Sequence, residues 1–432
     1  MPTRPATRMQ ILAGAVGNVM EWFDFAVYGF FAQVIGEQFF PSDDPTTSVI
    51  AAFAVFASGF LARPLGAAFF GHLGDRRGRQ VVLRASVLLM GISTLLLGCL
   101  PTYSSIGVAA PILLTVLRIA QGFSVGGEYT GSVIYLVERA PVGKRGIVGG
   151  WANFGAVAGF LLGSGISALI SRFLPEDAVA TWGWRIPFIA GVSISALGVV
   201  FRRTMHEEPT PAPHDKVPLV EAVRLEWRTM LRIAGLILMS NVGFYMMFVY
   251  VTTYLVEQVG VPMAKALEID TISMSALLVI TPFAAWLSDR VGRKPVLLVA
   301  SVGCFFLAVP LFMAIHHDDP ALIFAGQLGF AVLIGFTFGA NSAAIVEITN
   351  ARYRCTVISV AYNVTLAIFG GTTPLVASWL IKNTGNDLVP AVYLMLMAAV
   401  TAIVVLTIRE TYRIEVHVES EFSPDGGATA AA

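Results

Sequence analysis

The sequence predicts an all-α membrane protein of twelve transmembrane helices in two six-helix bundles. Three observations carry that prediction: a composition too apolar for a water-soluble surface, apolar blocks of membrane-spanning length, and a duplicated set of loop motifs. Of the 432 residues, 56% are hydrophobic and only 13% charged, whereas an ordinary soluble chain carries about 25% charged residues. Blocks such as 81–100 and 297–315 match the roughly 20 residues with which a helix crosses a bilayer. They must be helical, because lipid offers the backbone no hydrogen-bonding partner.

Apolar blocks and their breakers set spans near 10–36, 48–71, 80–101, 106–137, 147–171 and 183–202, then 230–257, 268–288, 295–315, 320–348, 355–381 and 386–408. The first block follows Arg4 and Arg8, as a signal peptide would. It runs on to about Gly36 without a small-residue cleavage signature, so it is read as a retained span. One long polar break, 203–228, separates the sixth span from the seventh. It holds Glu207, Glu208 and the four prolines from Pro209 to Pro218, and then an amphipathic stretch at 217–227. This is a cytosolic linker ending in an interfacial helix. The expected organisation is therefore a first bundle at 1–202, a linker at 203–229, a second bundle at 230–410 and a short cytosolic tail at 411–432.

Alternate loops hold Asp75, Arg76, Arg77 and Arg79; Lys144 and Arg145; Arg202 and Arg203; Arg290 to Lys294; and Arg352 with Arg354. The opposite loops carry Asp43, Asp44, Glu176, Asp177, Asp318 and Asp319, with Arg172, Lys265 and Lys382 as their basic residues. The positive-inside bias makes the basic side cytosolic, and both termini with it.

Two motifs recur. Gly71-x-x-x-Asp75-Arg76-x-Gly78-Arg79 joins spans two and three, and Ser288-Asp289-Arg290-x-Gly292-Arg293-Lys294 joins spans eight and nine, 214 positions on. Glu138-x6-Arg145 recurs as Glu347-x6-Arg354, 209 positions on. Two motifs at nearly one offset imply a duplicated six-helix unit, the architecture of alternating-access carriers with a midplane site.

These loops resemble the major facilitator superfamily. Gly17-Asn18-x-x-Glu21-Trp22-Phe23-Asp24-Phe25, Arg63-Pro64-Leu65-Gly66, Gln121 to Tyr129 and Trp182-Gly183-Trp184-Arg185-Ile186-Pro187-Phe188 narrow the likeness to its metabolite:proton symporter family. That family includes proline/betaine, 2-oxoglutarate, citrate and shikimate carriers. Gly127-Glu128-Tyr129-Thr130-Gly131, Asn153-Phe154-Gly155 and Asn241-x-x-x-Tyr245 look most like the proline/glycine-betaine members. Arg118 looks more like the dicarboxylate carriers, and the segment after Arg413 shows no heptads like those of the osmosensing members' coiled coil, so the solute stays open. The resemblance implies a major facilitator fold in a bacterial inner membrane and proton-coupled import of a small carboxylate-bearing metabolite. An exporter or antiporter of the same fold is the alternative.

Ionisable groups inside spans are costly unless hydrated or paired, which makes each a functional candidate. In span one, Glu21, Asp24 and Tyr28 share a face, and burial in a low-dielectric cavity would favour the protonated carboxyl. Asp24 or Glu21 is therefore a candidate proton carrier; pairing with a base such as Arg63 is the competing reading. Span four carries Arg118, Gln121, Val125 and Glu128 in one stripe. The planar fork of Arg118 suits a carboxylate, its alternative being a permanent bridge to Glu128 or Asp24. Glu128 is a third proton candidate. Charge is nearly absent from the spans of the second half, where Asn241 and Tyr245, Asn341, and Tyr362 with Asn363 supply neutral polar groups. The expected solute contacts are Arg118, Gln121, Tyr28, Tyr129, Asn241, Tyr245, Asn341 and Asn363. Tyr250 and Tyr254 read as part of an interfacial aromatic belt.

By resemblance, the basic-side loops form a gate, with Asp75, Arg76, Arg79, Asp289 and Arg293 in the turns. Glu138 with Arg145, and Glu347 with Arg354, are its exchanging pairs. Gly155, Gly159 and Gly163 in span five read as close helix packing.

No nucleotide-binding glycine loop is present, and the histidines lack metal-ligand spacing, which argues against an enzyme or a cofactor. Cys99, Cys304 and Cys355 have no paired spacing and read as packing residues. Zero net charge gives no reason to expect nucleic acid. The expected partners are a small solute, a proton and lipid, with the chain acting as a monomer.

Overall fold

A computed structural model describes residues 8–77, 79–191, 193 and 219–413, with side chains described throughout except at 8–14, 71–72, 74–77, 79–84, 128 and 219–220. Within that range, nine helices are long and apolar enough to cross a membrane, and Ala85–Gly98 is a shorter apolar one. Span one is Arg8–Phe30 continued by Ala32–Phe39, span two Pro45–Arg77 and span three Arg79–Gly98. Span four breaks between Ala109–Ser124 and Glu128–Glu138, and span five is Arg145–Phe173. Span six is described only over its opening turns, to Gly191. In the second half, span seven runs from Leu219–Tyr245 through Met246–Tyr250 and Val251–Tyr254 to Leu255–Val259. Spans eight, nine and ten are Met263–Val291, Arg293–Ile315 and Pro320–Glu347. Span eleven joins Arg354–Thr365, Leu366–Gly370 and Thr373–Thr384, and span twelve is Val389–Thr407. The fold is all-α, with the two bundles of the major facilitator architecture.

The amphipathic stretch expected as a separate interfacial helix is continuous with span seven. Only a bend at Glu226, whose φ of −112° and ψ of 16° leave the helical region, marks the junction. The break at 203–218 and the tail from 414 lie outside the described residues.

One face of span five carries glycines in place of larger side chains. A Cβ added at Gly155 would stand 2.4 Å from the Ala15 carbonyl oxygen, at Gly159 2.5 Å from that of Val19, and at Gly163 2.8 Å from Ala26 Cβ. Span one therefore lies directly on the glycine ridge, as small-residue packing predicts. The opposite side of span five meets span eight, where Ser164 Oγ lies 2.7 Å from Thr271 Oγ1. Spans two and eleven form a second seam, in which Gly371 abuts the Phe60 ring. Span one touches span seven through Gly29, beside Val249.

Spans seven and eleven depart from α geometry at Met246–Tyr250, Leu255–Val259 and Leu366–Gly370, which are π-helical. Each π turn inserts a residue and rotates the face that follows it. The first such turn begins just after Tyr245 and the one in span eleven begins at Leu366, both lining residues of the central cavity, whereas Leu255–Val259 ends span seven.

Candidate functional site

Between the bundles lies a cavity of about 30 Å³, room for one or two waters. Its wall is aromatic, with Trp22 and Phe160 from the first bundle, Phe244 and Tyr245 from span seven, and Tyr129 facing Tyr362 across the seam. Tyr129 and Tyr362 stack at 4.8 Å between centroids, and Trp22 meets Tyr129 edge-on at 6.0 Å. Polar groups are few. Tyr129 Oη donates to Asn153 Oδ1, and Asn153 Nδ2 donates to the Phe338 carbonyl at 2.7 Å and to Ser342 Oγ at 3.0 Å. Asn241 lines the same space with its Nδ2 unpartnered. An adjoining cleft is bounded by Asn341, whose Nδ2 donates to Ser240 Oγ at 3.0 Å.

The charged residues of spans one, two and four stand behind this wall. Arg63 pairs with Glu21, both almost wholly buried, and its guanidinium lies 4.8 Å from the Trp22 ring. Arg118 is sandwiched by Phe25 at 4.6 Å and Tyr28 at 4.3 Å. Its Nη1 donates to Gln121 Oε1 at 2.8 Å, while Nε and Nη2 have no partner. Gln121 Nε2 donates to Thr94 Oγ1 at 2.8 Å, and Thr94 donates to Asp24 Oδ2 at 2.6 Å. Asp24 and Arg118 are thus linked through two neutral side chains, with no direct bridge between them. Phe56 connects this layer to the cavity, its ring 5.5 Å from Arg118 and 6.2 Å from the Tyr245 ring.

Of the expected solute contacts, Tyr129, Asn241 and Tyr245 line the cavity and Asn341 its neighbour. Arg118, Gln121 and Tyr28 form the layer behind, where Tyr28 Oη donates to the Ala52 carbonyl at 3.0 Å. Asn363 ties span eleven to the break in span four, donating to the Gly126 carbonyl at 3.0 Å. The side chain of Glu128 lies outside the described residues, as do those of Asp75, Arg76 and Arg79. Trp22, Phe160 and Phe244 were not singled out, because an aromatic on an apolar face gives the same pattern whether it packs or lines a cavity.

Asp270 was also missed. It sits fully buried in span eight, two residues inside the expected boundary, so charge is less scarce in the second half than the sequence suggests. Tyr250 and Tyr254 form no interfacial belt: both are buried, Tyr250 against Phe53 and Tyr254 against Phe312. Tyr254 Oη also lies 2.8 Å from His316 Nδ1.

At the end bearing the basic loops, the pairs differ from those expected within each repeat. They cross between bundles: Arg354 with Glu138 at 2.5 Å, and Arg145 with Glu347 at 4.0 Å. Asp289 accepts from the backbone N–H of Gly146 at 2.8 Å and of Ile147 at 2.9 Å, capping span five from span eight. Arg293 joins Asp289 at 2.8 Å and Glu347 at 3.0 Å. At the opposite end, Lys382 Nζ reaches Asp44 at 2.7 Å and Thr47 Oγ1 at 2.6 Å. With bundles joined at both ends, this is an occluded state. Among the described residues no cluster of three or more His, Cys, Asp or Glu could hold a metal.

The sequence matches the family described as "Sugar (and other) transporter" over residues 11–210 and 213–421. It is 40% identical to the glycine betaine/proline/ectoine/pipecolic acid transporter OusA of Dickeya dadantii, over 94% of this chain and 83% of that one. It is 39% identical to the proline/betaine transporter of Escherichia coli, over 94% and 84%. Among solved structures, the proton:xylose symporter XylE bound to 6-bromo-6-deoxy-D-glucose superposes with a TM-score of 0.73 at 17% identity, over 93% of this chain and 96% of that one. A partially occluded inward-open XylE from E. coli gives 0.71 at 18%, over 93% and 98%.

Proposed function

This chain belongs to the sugar (and other) transporter family of the major facilitator superfamily, and from that premise we propose that it is a proton symporter importing a small zwitterion such as proline or glycine betaine. Membership makes it a membrane transporter and not an enzyme. The aromatic cavity is the observation that carries the choice of solute. Tyr129, Tyr245 and Tyr362 wall this space, and widening that parts the stacked Tyr129 and Tyr362 would open ring faces to an ammonium group, and to a quaternary one most of all, because a ring's negative face meets a weakly hydrated cation. A carboxylate on the same solute needs donors, and Arg118 holds two unpartnered nitrogens, Nε and Nη2, beyond Phe56. The solutes named for the Dickeya and Escherichia relatives pair a carboxylate with a cationic nitrogen.

A cavity of about 30 Å³ cannot hold such a solute, so the occluded state must widen when loaded. Rotation of Phe56 would admit the carboxylate to Arg118. Drawing Arg118 and Gln121 toward solute loosens the chain to Thr94 and Asp24, which links solute binding to the protonation of Asp24. Glu21, held by Arg63, serves as a packing charge in this reading.

The basic loops face the cytosol, in the bacterial inner membrane, with both termini on that side. The crossed pairs close the inner gate and Lys382–Asp44 the outer one. Each is made in one arrangement and broken in the other, as alternating access requires. Residues 1–202 and 230–410 are the rocking units, and the chain works as a monomer.

The test is uptake into proteoliposomes under an inward proton gradient, offering proline, glycine betaine, 2-oxoglutarate, citrate and shikimate. Proline and betaine should accumulate, and an ionophore should abolish the accumulation. Accumulation of 2-oxoglutarate, citrate or shikimate without proline or betaine would overturn the solute class, and accumulation indifferent to the ionophore would overturn proton coupling.

A further inference from the structure

Asp270 is a carboxyl that the reading above leaves without a task. It is fully buried near the start of span eight. Its Oδ2 accepts from Ser164 Oγ of span five at 3.0 Å, and its Oδ1 accepts from Gln327 Nε2 of span ten at 2.8 Å. Gln327 Nε2 also reaches the Met247 carbonyl of span seven at 2.8 Å. Ser164 Oγ lies 2.7 Å from Thr271 Oγ1 on Asp270's own helix. Every group facing the carboxyl is neutral, and among the described residues no lysine, arginine or histidine enters its surroundings. Glu21 and Asp24, by contrast, have Arg63 and Arg118 within reach.

An ionised carboxylate in such a place is shut off from bulk solvent and has no counter-charge among the described residues, and two neutral donors do not replace hydration and pairing. The neutral acid is the form that fits. The position matters equally: Ser164 belongs to the first bundle and Asp270 to the second. Their contact lies toward the end where Lys382 meets Asp44, in the last third of span five and the first turns of span eight. Separating the bundles at that end parts the two residues and admits water to the carboxyl.

We propose that Asp270 is a second proton-binding site, whose protonation is required for the outer gate to close. With that gate open, the hydrated carboxylate exchanges a proton with the outer water. Closing returns Asp270 to Ser164 and Gln327 as the neutral acid, the proton residing on a carboxyl oxygen. Closing without the proton would bury a bare carboxylate; the proton taken up on closing returns to the outer water when the gate reopens, so it sets the gate without being one of the protons carried inward. The proposal rests on the symport reading and adds to Asp24 a site that acts on the gate.

Two measurements on the full-length protein in liposomes test it. The first compares Asp270→Asn with Asp24→Asn in counterflow and in uptake under a fixed gradient. Asp270→Asn should exchange solute and keep the parent's accumulation ratio, while its counterflow, followed from about pH 5 to about pH 8, should lose the pH dependence that the parent shows. A counterflow pH profile equal to that of the parent would overturn the proposal. Loss of accumulation in Asp270→Asn would make Asp270 a carried-proton site and overturn its gating role, whereas loss in Asp24→Asn alone bears on the symport reading.

The second measurement needs no solute. Spin labels at Ser42 and Asn386, exposed on opposite bundles at this end, report the gate by their separation. Raising the pH between about 5 and 8 should lengthen the mean distance in the parent and leave that of Asp270→Asn unchanged. His316, Asp387, Glu257 and Glu37 also stand at this end, and the Asn variant retains them all. A parent distance that ignores pH, or a variant that follows pH as the parent does, would refute the assignment even if transport were lost for another reason.

Discussion

Arg118 is buried to the same degree as the phenylalanines around it, and what distinguishes it is unfinished hydrogen bonding. Arg118 uses one of its nitrogens, on Gln121, and keeps two idle in a place where an idle donor is expensive. A carboxylate would complete it with a two-point contact that an ammonium cannot reproduce. Arg118→Lys should therefore weaken proline binding roughly tenfold, and Arg118→Ala roughly a hundredfold or more, as bidentate charged contacts imply. Equilibrium binding to purified protein checks this, and affinity unchanged in both variants removes Arg118 from the solute path. Asp24→Asn should keep counterflow and lose concentrative uptake, because an amide can accept from Thr94 but cannot carry a proton. A fully concentrating variant would move attention to Glu128. The neighbouring of Arg118 and Gln121 on span four was legible in the sequence as residue spacing, but the helix breaks at 125–127 before Glu128, whose side chain lies outside the described residues. That Glu21 belongs to Arg63, leaving Asp24 the freer acid, was not legible there, because the partner lies on another span.

At the scale of single helices, span five makes the clearest case. Its glycine spacing announces close packing, but not which glycines meet a neighbour. Gly159 has the Val19 carbonyl 2.5 Å from where a Cβ would stand, while Gly165 has only Thr271 Cγ2 at 3.9 Å. Gly159→Leu should thus lower stability in detergent by roughly 1–3 kcal/mol or more through overpacking, and Gly165→Ala should change it little. Thermal unfolding of the two variants compares them directly. The π turns of spans seven and eleven lay beyond the sequence, since an inserted residue leaves the apolar composition unchanged.

The outer latch joins two such helices at the membrane surface. A hydrogen bond from Lys382, helped by one from Thr47, holds the Asp44 carboxyl below the usual carboxylate range. A lowered carboxyl contributes above its unfolded value and is lost only as pH falls through the lowered one. Between about pH 5 and pH 8 this latch is constant, so Lys382→Met should leave any pH response of the outer gate in that window unaltered. Label distances in the Lys382→Met protein that lose their pH response would reverse this assignment.

Across the whole molecule, the basic end is held by a reciprocal exchange of charges, each bundle offering its glutamate to the other's arginine. The pair of Arg354 with Glu138 crosses the seam, so Arg354→Glu should bias the carrier toward an open inner gate and slow turnover several-fold or more. Adding Glu138→Arg to Arg354→Glu should recover a large part of the rate. Initial uptake rates in the two single variants and the double variant form the cycle, and additive losses would exclude the pairing.

Local chemistry alone determined that the chain is helical and membrane-bound, that its loops are sided and that its two halves repeat. Those properties follow from backbone hydrogen bonding in lipid and from the spacing of side chains along one helix. The tertiary structure alone decided who meets whom: Glu21 with Arg63, Glu138 with Arg354, the aromatic cavity, and Asp270 with no counter-charge among the described residues. Partner choice depends on how distant helices are oriented, and spacing within a helix says which residues share a face but not what that face touches.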